Sequence, residues 1–198
     1  PQSAVFGADA IGGVVHLTTR HGGAPSATAS FEGGGRQTAR ALGAARGTLA
    51  QWSFGGSGER NQSDGYTGLA PATGETVSND DWRQSVGQAH VAWTRSAHTS
   101  VRADVRYLDS ERGSPGPYGS NPIGAYEQVD RVSRGSDSNR DVALSGHLPW
   151  GASLAGRVQQ RWQVTAADFD NRYRSAFGDS FFETRRLSAR TQTDVILS

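Results

Sequence analysis

Cysteine, methionine and lysine are all missing from this 198-residue chain. Without cysteine there is no disulfide framework, no thiolate metal site and no thiol chemistry. Without lysine, all 20 basic residues are arginine, and against 19 acidic residues the formal net charge is only +1. A balance so close to zero gives no global attraction to nucleic acid. No run of 18 or more apolar residues occurs, so no transmembrane helix is expected. The same low hydropathy is compatible with a membrane barrel, whose strands show lipid only every second residue. Glycine, by contrast, is abundant at 26 residues, which argues against a mainly helical chain. The chain opens at Pro1 and closes in an alternating apolar run before Ser198, and we expect it to be part of a longer polypeptide.

From about Thr28 onward the apolar residues recur with period two. Ala50, Trp52 and Phe54 alternate with Gln51 and Ser53, and Ala89, Val91 and Trp93 with His90 and Ala92. Val101, Ala103, Val105 and Tyr107 alternate with Arg102, Asp104 and Arg106. Leu154, Gly156, Val158, Trp162 and Val164 oppose Arg157, Gln159, Arg161 and Gln163, and Leu187, Ala189, Val195 and Leu197 oppose Arg190, Gln192 and Asp194. Such alternation predicts strands with one apolar and one polar face. Eight are expected, at about 26–34, 37–46, 48–60, 82–95, 99–111, 138–148, 152–167 and 181–197.

The connections alternate as well. Short turns are expected near Arg46-Gly47, Ser96–His98 and Pro149–Ala152, roughly 50 residues apart. Between them lie long polar segments at about 61–81, 112–137 and 168–180. A soluble β-sandwich also alternates its faces. Regular long-and-short connections and arginine-rich polar faces favour an outer-membrane barrel, with short periplasmic turns, long extracellular loops and a wet lumen. On that reading Arg102, Arg106, Arg157, Arg161 and Arg190 face the lumen with Asp104 and Asp194, and Trp52, Trp93 and Trp162 face lipid or its interface.

Residues 1–20 differ from the rest. They read Pro1-Gln2-Ser3-Ala4-Val5-Phe6-Gly7-Ala8-Asp9-Ala10-Ile11-Gly12-Gly13-Val14-Val15-His16-Leu17-Thr18-Thr19-Arg20. Gly7, Gly12 and Gly13 permit tight bends, and Asp9 can cap local backbone donors. This segment resembles the end of the plug domain in TonB-dependent outer-membrane receptors, through Ser3, Phe6, Gly7, Asp9, Ile11, Gly12 and Gly13. It departs from the family pattern at Phe6 (usually Tyr), at His16 (usually Asn) and at Leu17-Thr18 (usually two Ile). The wording of residues 1–20, with Ser63-Asp64-Gly65-Tyr66, is most similar to the cobalamin and catecholate-siderophore branch.

The resemblance implies a division into the end of a plug (1–20), a linker (21–26) and the first part of a barrel (27–198). The fold class expected is all-β: a partial transmembrane antiparallel barrel of about eight up-and-down strands, preceded by the plug's C-terminal end. A complete family barrel has about 22 strands around a plugged lumen. The implied function is capture of a scarce nutrient, a ferric siderophore or cobalamin, and its import across the Gram-negative outer membrane. The energy comes from TonB, with ExbB and ExbD, through an N-terminal box that lies outside this chain. No enzymatic activity, cofactor, metal or nucleic-acid partner is implied; outer-membrane lipid is. Tyr66, Trp82, Tyr118, Asn121, Tyr126 and Arg131 are the candidate ligand contacts, since aromatics give large contact area with few torsions to freeze. Aromatic-girdle or loop-packing roles would explain the same residues.

Two alternatives stay open. A plugless porin or adhesin would leave 1–20 unexplained. A barrel hydrolase would need His90, Asp104 and Asp80-Asp81 to converge at one rim, and no phosphate loop or nucleophile elbow is present. Asp64, Glu75, Asp80 and Asp81 are oxygen donors of the kind calcium takes, though without a fixed loop spacing.

Overall fold

The computed structural model describes residues 22–66, 68–70, 73–116, 129–149 and 158–195. The expected plug residues 1–20, His21 of the expected linker, the expected turn residues 150–152, and Tyr118, Asn121, Tyr126 and Arg157 lie outside them. Among the described residues there is no helix. Eight strands run in order: β1 (Ser26–Gly33), β2 (Ala39–Leu49), β3 (Trp52–Ser63), β4 (Trp82–Ser96), β5 (Thr99–Gly113), β6 (Arg134–Pro149), β7 (Val158–Arg174) and β8 (Ser180–Val195). They form one sheet in which every strand pairs antiparallel with its neighbours in sequence. The sheet is open, with β1 and β8 at its edges, and has the topology of a partial up-and-down barrel.

Directly paired residues share a face, so the registers sort every strand side chain. One row runs Arg46, Gly55, His90, Asp104, Ala143, Thr165, Ser188 across β2 to β8. The next runs Ala44, Ser57, Gln88, Arg106, Asp141, Ala167, Arg186. This polar face is the concave one, because Ser26 and Thr28 of β1 and Gln163 and Thr165 of β7 line a single cavity of about 740 Å³.

The opposite, outward face is apolar over the half of the sheet nearest the short turns. One row reads Leu49, Trp52, Trp93, Val101, Gly146, Trp162, Thr191, and the next Gly47, Phe54, Val91, Ala103, Leu144, Val164, Ala189. Trp52, Phe54, Val91, Val105, Leu144, Val164 and Leu187 all stand exposed on this face. The band runs obliquely. On β2 it reaches from Leu49 up to Ala39, whereas on β7 it reaches from Val158 only to Ala166 before Asp168 ends it. Beyond the band the outward face is charged, with Arg83 and Glu111, Arg172 and Asp170, and Arg185 and Asp168 paired.

Two places in the band show why glycine recurs in these strands. A Cβ on Gly47 would meet the Phe54 ring at 2.9 Å, and one on Gly146 would meet the Trp162 ring at 2.5 Å. Each glycine leaves free the space that the aromatic of the paired strand occupies, a way of covering glycine backbone in sheets.

Two connections on one end are short, and the third, 150–157, lies outside the described residues. β2 and β3 join through Ala50-Gln51, with Ala50 at φ 53°, and β4 and β5 through Ala97-His98. On the other end they are 34–38, 64–81, 114–133 and 175–179. The first contains a turn with Arg36 and Gln37 at φ 58° and 51°, closed by Thr38 N–H to Gly35 O at 3.1 Å, as a primed hairpin turn requires.

Three expected boundaries are corrected. Arg46-Gly47 is not a turn but lies inside β2, where Gly47 serves Phe54. Polar residues 134–137 belong to β6 and 168–174 to β7, so the last long loop shrinks to 175–179.

Candidate functional site

Two regions gather polar chemistry: the loops at the long-connection end and the concave face.

The described residues of the loops 64–81 and 114–133 are tied into one cap by side-chain hydrogen bonds. Residues 68–77 fold back on themselves through Ala70 N–H to Glu75 O (2.7 Å) and Val77 N–H to Gly68 O (2.8 Å). Ala70 and Val77 are buried there with Val129 of the next loop, and these are the buried apolar residues among those described. Asn79, at φ 65°, donates its amide to three carbonyls of the partner loop: Ser133 at 2.8 Å, Asp130 at 3.0 Å and Ser114 at 3.4 Å. Arg134 at the start of β6 reaches back to Asp81 with two bonds of 2.7 and 3.1 Å, and to Glu111 at 2.9 Å. Glu75 pairs with Arg131 and accepts the Val129 N–H at 3.4 Å. Asp130 closes an Asx-type turn by accepting from Val132 N–H and Ser133 N–H, each at 2.8 Å.

These contacts stabilise the charged forms of the acids. The Arg131 guanidinium beside Glu75, aided by the Val129 N–H, holds that carboxyl below the usual range. Asp81 is lowered chiefly by its hydrogen bonds from Arg134, against a desolvation that opposes it. Asp130 is lowered chiefly by the Ser133 hydroxyl, then by the Ser133 and Val132 N–H groups.

Of the candidate ligand residues, Tyr66 lies in this loop region and is 84% exposed, with the Arg36 guanidinium 5.8 Å from its ring centre. Its N–H donates to Asp80 at 2.5 Å. Trp82 opens β4, in the row of Ser63 and Arg112 on the concave face. Arg131 is tied to Glu75 and still largely exposed. The carboxylates weighed for calcium turn to different partners: Glu75 to Arg131, Asp80 to the Tyr66 N–H, Asp81 to Arg134. Among the described residues no three His or carboxylate groups converge as a metal site. Sequence reasoning did not single out Asn79, Asp130 or Arg134. Asp130-x-x-Ser133 is a local capping pattern that could have been found; the Asn79–Ser133 and Arg134–Asp81 contacts join residues more than 50 positions apart and leave no local trace.

The concave face carries paired and partly paired charge. Arg40 grips Glu59 with bonds of 2.8 and 3.1 Å. Arg102 turns Nε to the Asp104 carboxylate at 2.7 and 2.9 Å, and Arg161 meets Asp194 at 2.9 Å. His90 and Asp104 are direct cross-strand partners, as the hydrolase alternative requires. Yet Asp104 is held by Arg102, and Asp80 and Asp81 belong to the loop cap on the other end. At the short-turn end, Gln159 bridges two imidazoles, with His147 Nε2 at 2.8 Å and His98 Nδ1 at 2.7 Å, tying the β4–β5 turn to β6 and β7.

Searches of the chain against protein-family models, curated proteins and solved structures find no match. What the geometry defines is a class of architecture: an open barrel-wall sheet with a polar concave face, an exposed apolar outward band and its long loops gathered on one end.

Proposed function

We propose that this chain is part of the wall of a TonB-dependent outer-membrane receptor, which captures a ferric siderophore or cobalamin and imports it with energy from TonB. The observation that carries the reading is the oblique outward band. On β2 its apolar residues extend from Leu49 to Ala39, about 34 Å of strand at ~3.4 Å per residue. Tilted by about 40°, that is a height of about 26 Å, close to the ~25 Å apolar band of outer-membrane barrels. The same reckoning for Val158–Ala166 on β7 gives about 21 Å. A tilted strand set crossing a flat membrane makes the band oblique to the cross-strand rows, and a soluble sandwich would cover such a face with a second layer. Charged outward pairs begin where the band ends, at the height of the lipid headgroups and above.

The plug-like wording of residues 1–20 supports the receptor assignment over a plugless porin. The loop cap, with exposed Tyr66 and Arg131, supports ligand capture at the long-loop end. Because the open edges of β1 and β8 leave backbone groups that lipid cannot satisfy, the isolated 198-residue chain should aggregate in detergent rather than give a heat-modifiable monomer.

The absence of cysteine makes a direct test simple. Single substitutions Tyr66→Cys and Leu69→Cys in the loops, and Gln51→Cys and Ala97→Cys in the turns, are exposed on intact cells to a membrane-impermeant maleimide. Labelling at the loop positions alone is expected; equal labelling of both sets would reject the membrane topology. Uptake of ferric siderophores and cobalamin is then followed with TonB present and deleted. Uptake that survives the deletion would reject the receptor reading.

A further inference from the structure

We infer that the concave face carries an anion pocket at its short-turn end, suited to a small carboxylate- or phosphate-bearing solute. A cavity of about 510 Å³ lies there over Ser145 and Gln163, and Arg102, Arg161 and Arg190 line it together with His147. No carboxylate is among its lining residues. Arg102, Ser145, Gln163 and Arg190 form one cross-strand row, so the two arginines flank the two neutral residues, and Arg161 enters from the adjoining row. At ~4.8 Å between strands, the β5 and β8 backbones stand about 14 Å apart, a gap that two extended arginine side chains narrow from both sides.

The charge on the three arginines is not balanced inside the pocket. Asp104 and Asp194, which pair with Arg102 and Arg161, sit outside the lining. Arg190 has no carboxylate at ion-pair distance among the described residues. A guanidinium presents a planar fork of donors that matches a carboxylate or phosphate with two parallel hydrogen bonds. Ser145 and Gln163 supply neutral donors beneath it. Arg190 thus presents its fork without a carboxylate partner, and Arg102 and Arg161 each share theirs with a single carboxylate outside the lining, an arrangement that selects anions over neutral solutes. It rests on the concave face and not on the membrane reading.

The test uses the protein purified from whichever cell fraction holds it, in detergent where that fraction is membrane. Citrate and inorganic pyrophosphate are titrated calorimetrically at low salt, with glucose as the neutral probe. Binding of one anion and none of glucose is expected. Arg190→Gln should weaken it about tenfold, the loss of one charged hydrogen bond at an open site. Arg190→Lys keeps the charge but loses the fork and should fall between. Arg186→Gln, on the same strand and face but outside the cavity, should leave affinity unchanged. Equal losses at Arg186 and Arg190 would mean diffuse attraction only and would overturn the site, as would no binding by the unmodified protein. Anion binding without TonB-dependent uptake would remove the receptor reading and keep the pocket; uptake with no anion binding would do the reverse.

Discussion

Leu144 offers the sharpest test of which solvent the outward face meets. It sits mid-band on β6, between Ala103 and Val164 across the sheet and between Val142 and Gly146 along its own face. The nearest outward charge on its strand is Arg140, four residues away and about 14 Å at ~3.4 Å per residue, so an arginine at 144 finds no partner there. If the face meets hydrocarbon, Leu144→Arg should cost about 2–4 kcal/mol, the cost of arginine on the lipid face near the midplane. That is roughly a 30- to 700-fold change in the folding equilibrium. If the face meets water, an exposed leucine replaced by arginine should change stability by no more than about 0.5 kcal/mol. Ala143→Arg, the preceding residue and on the concave face beside Asp104 and Asp141, should stay within about that range under either solvent. The measurement is denaturant unfolding of the complete protein reconstituted in phosphatidylcholine vesicles, read by tryptophan emission. A Leu144→Arg cost no larger than that of Ala143→Arg would refute the lipid assignment.

Acidification should open the loop cap before the sheet. Glu75, Asp81 and Asp130 have folded values below their unfolded ones, so their stabilisation is complete above about pH 5 and fades as pH falls below about 4. Hydrogen exchange at Val129 and Ser133 should then accelerate while Val105 stays protected, and a loop protection that rises on acidification would contradict the assignment. Asn79→Ala, which strips a donor from three carbonyls, should make 64–81 and 114–133 protease-sensitive at a local cost of about 1–3 kcal/mol while leaving the strands folded. Gly146→Ala should displace the Trp162 ring, at a cost of about 1–3 kcal/mol and with a shift in its emission; unchanged emission and stability would count against the packing described. Ala50→Gly should raise stability by about 1 kcal/mol in denaturant melts, since it relieves a left-handed alanine.

Alternation in the sequence was enough to find all eight strands, their order and their two faces, because the outward band and the concave face differ so sharply between Leu49 and Tyr107. It failed where that contrast ends. Residues 168–174 continue β7 with Asp168, Asp170 and Arg172 outward and Phe169 and Tyr173 inward, so the apolar parity reverses and the segment reads as loop. Gly47 read as a turn because glycine is the commonest turn signal, whereas its role is to admit the Phe54 ring. The loop cap was legible only as polar and aromatic loop sequence. Its organising contacts, Asn79 to Ser133 and Arg134 to Asp81, join distant residues by geometry that a linear pattern does not carry.

Each strand of the sheet pairs only with the strands before and after it in sequence. Among the described residues nothing stacks across a second layer, so a hairpin's environment is set by two neighbours rather than by a shared interior. Whole hairpins can therefore be duplicated or deleted during evolution without repacking anything beyond the new seam, provided the outward and inward parity is kept. A wall of this kind grows in width like a fence gaining panels, and the bore it encloses widens by a fixed step with each pair of strands.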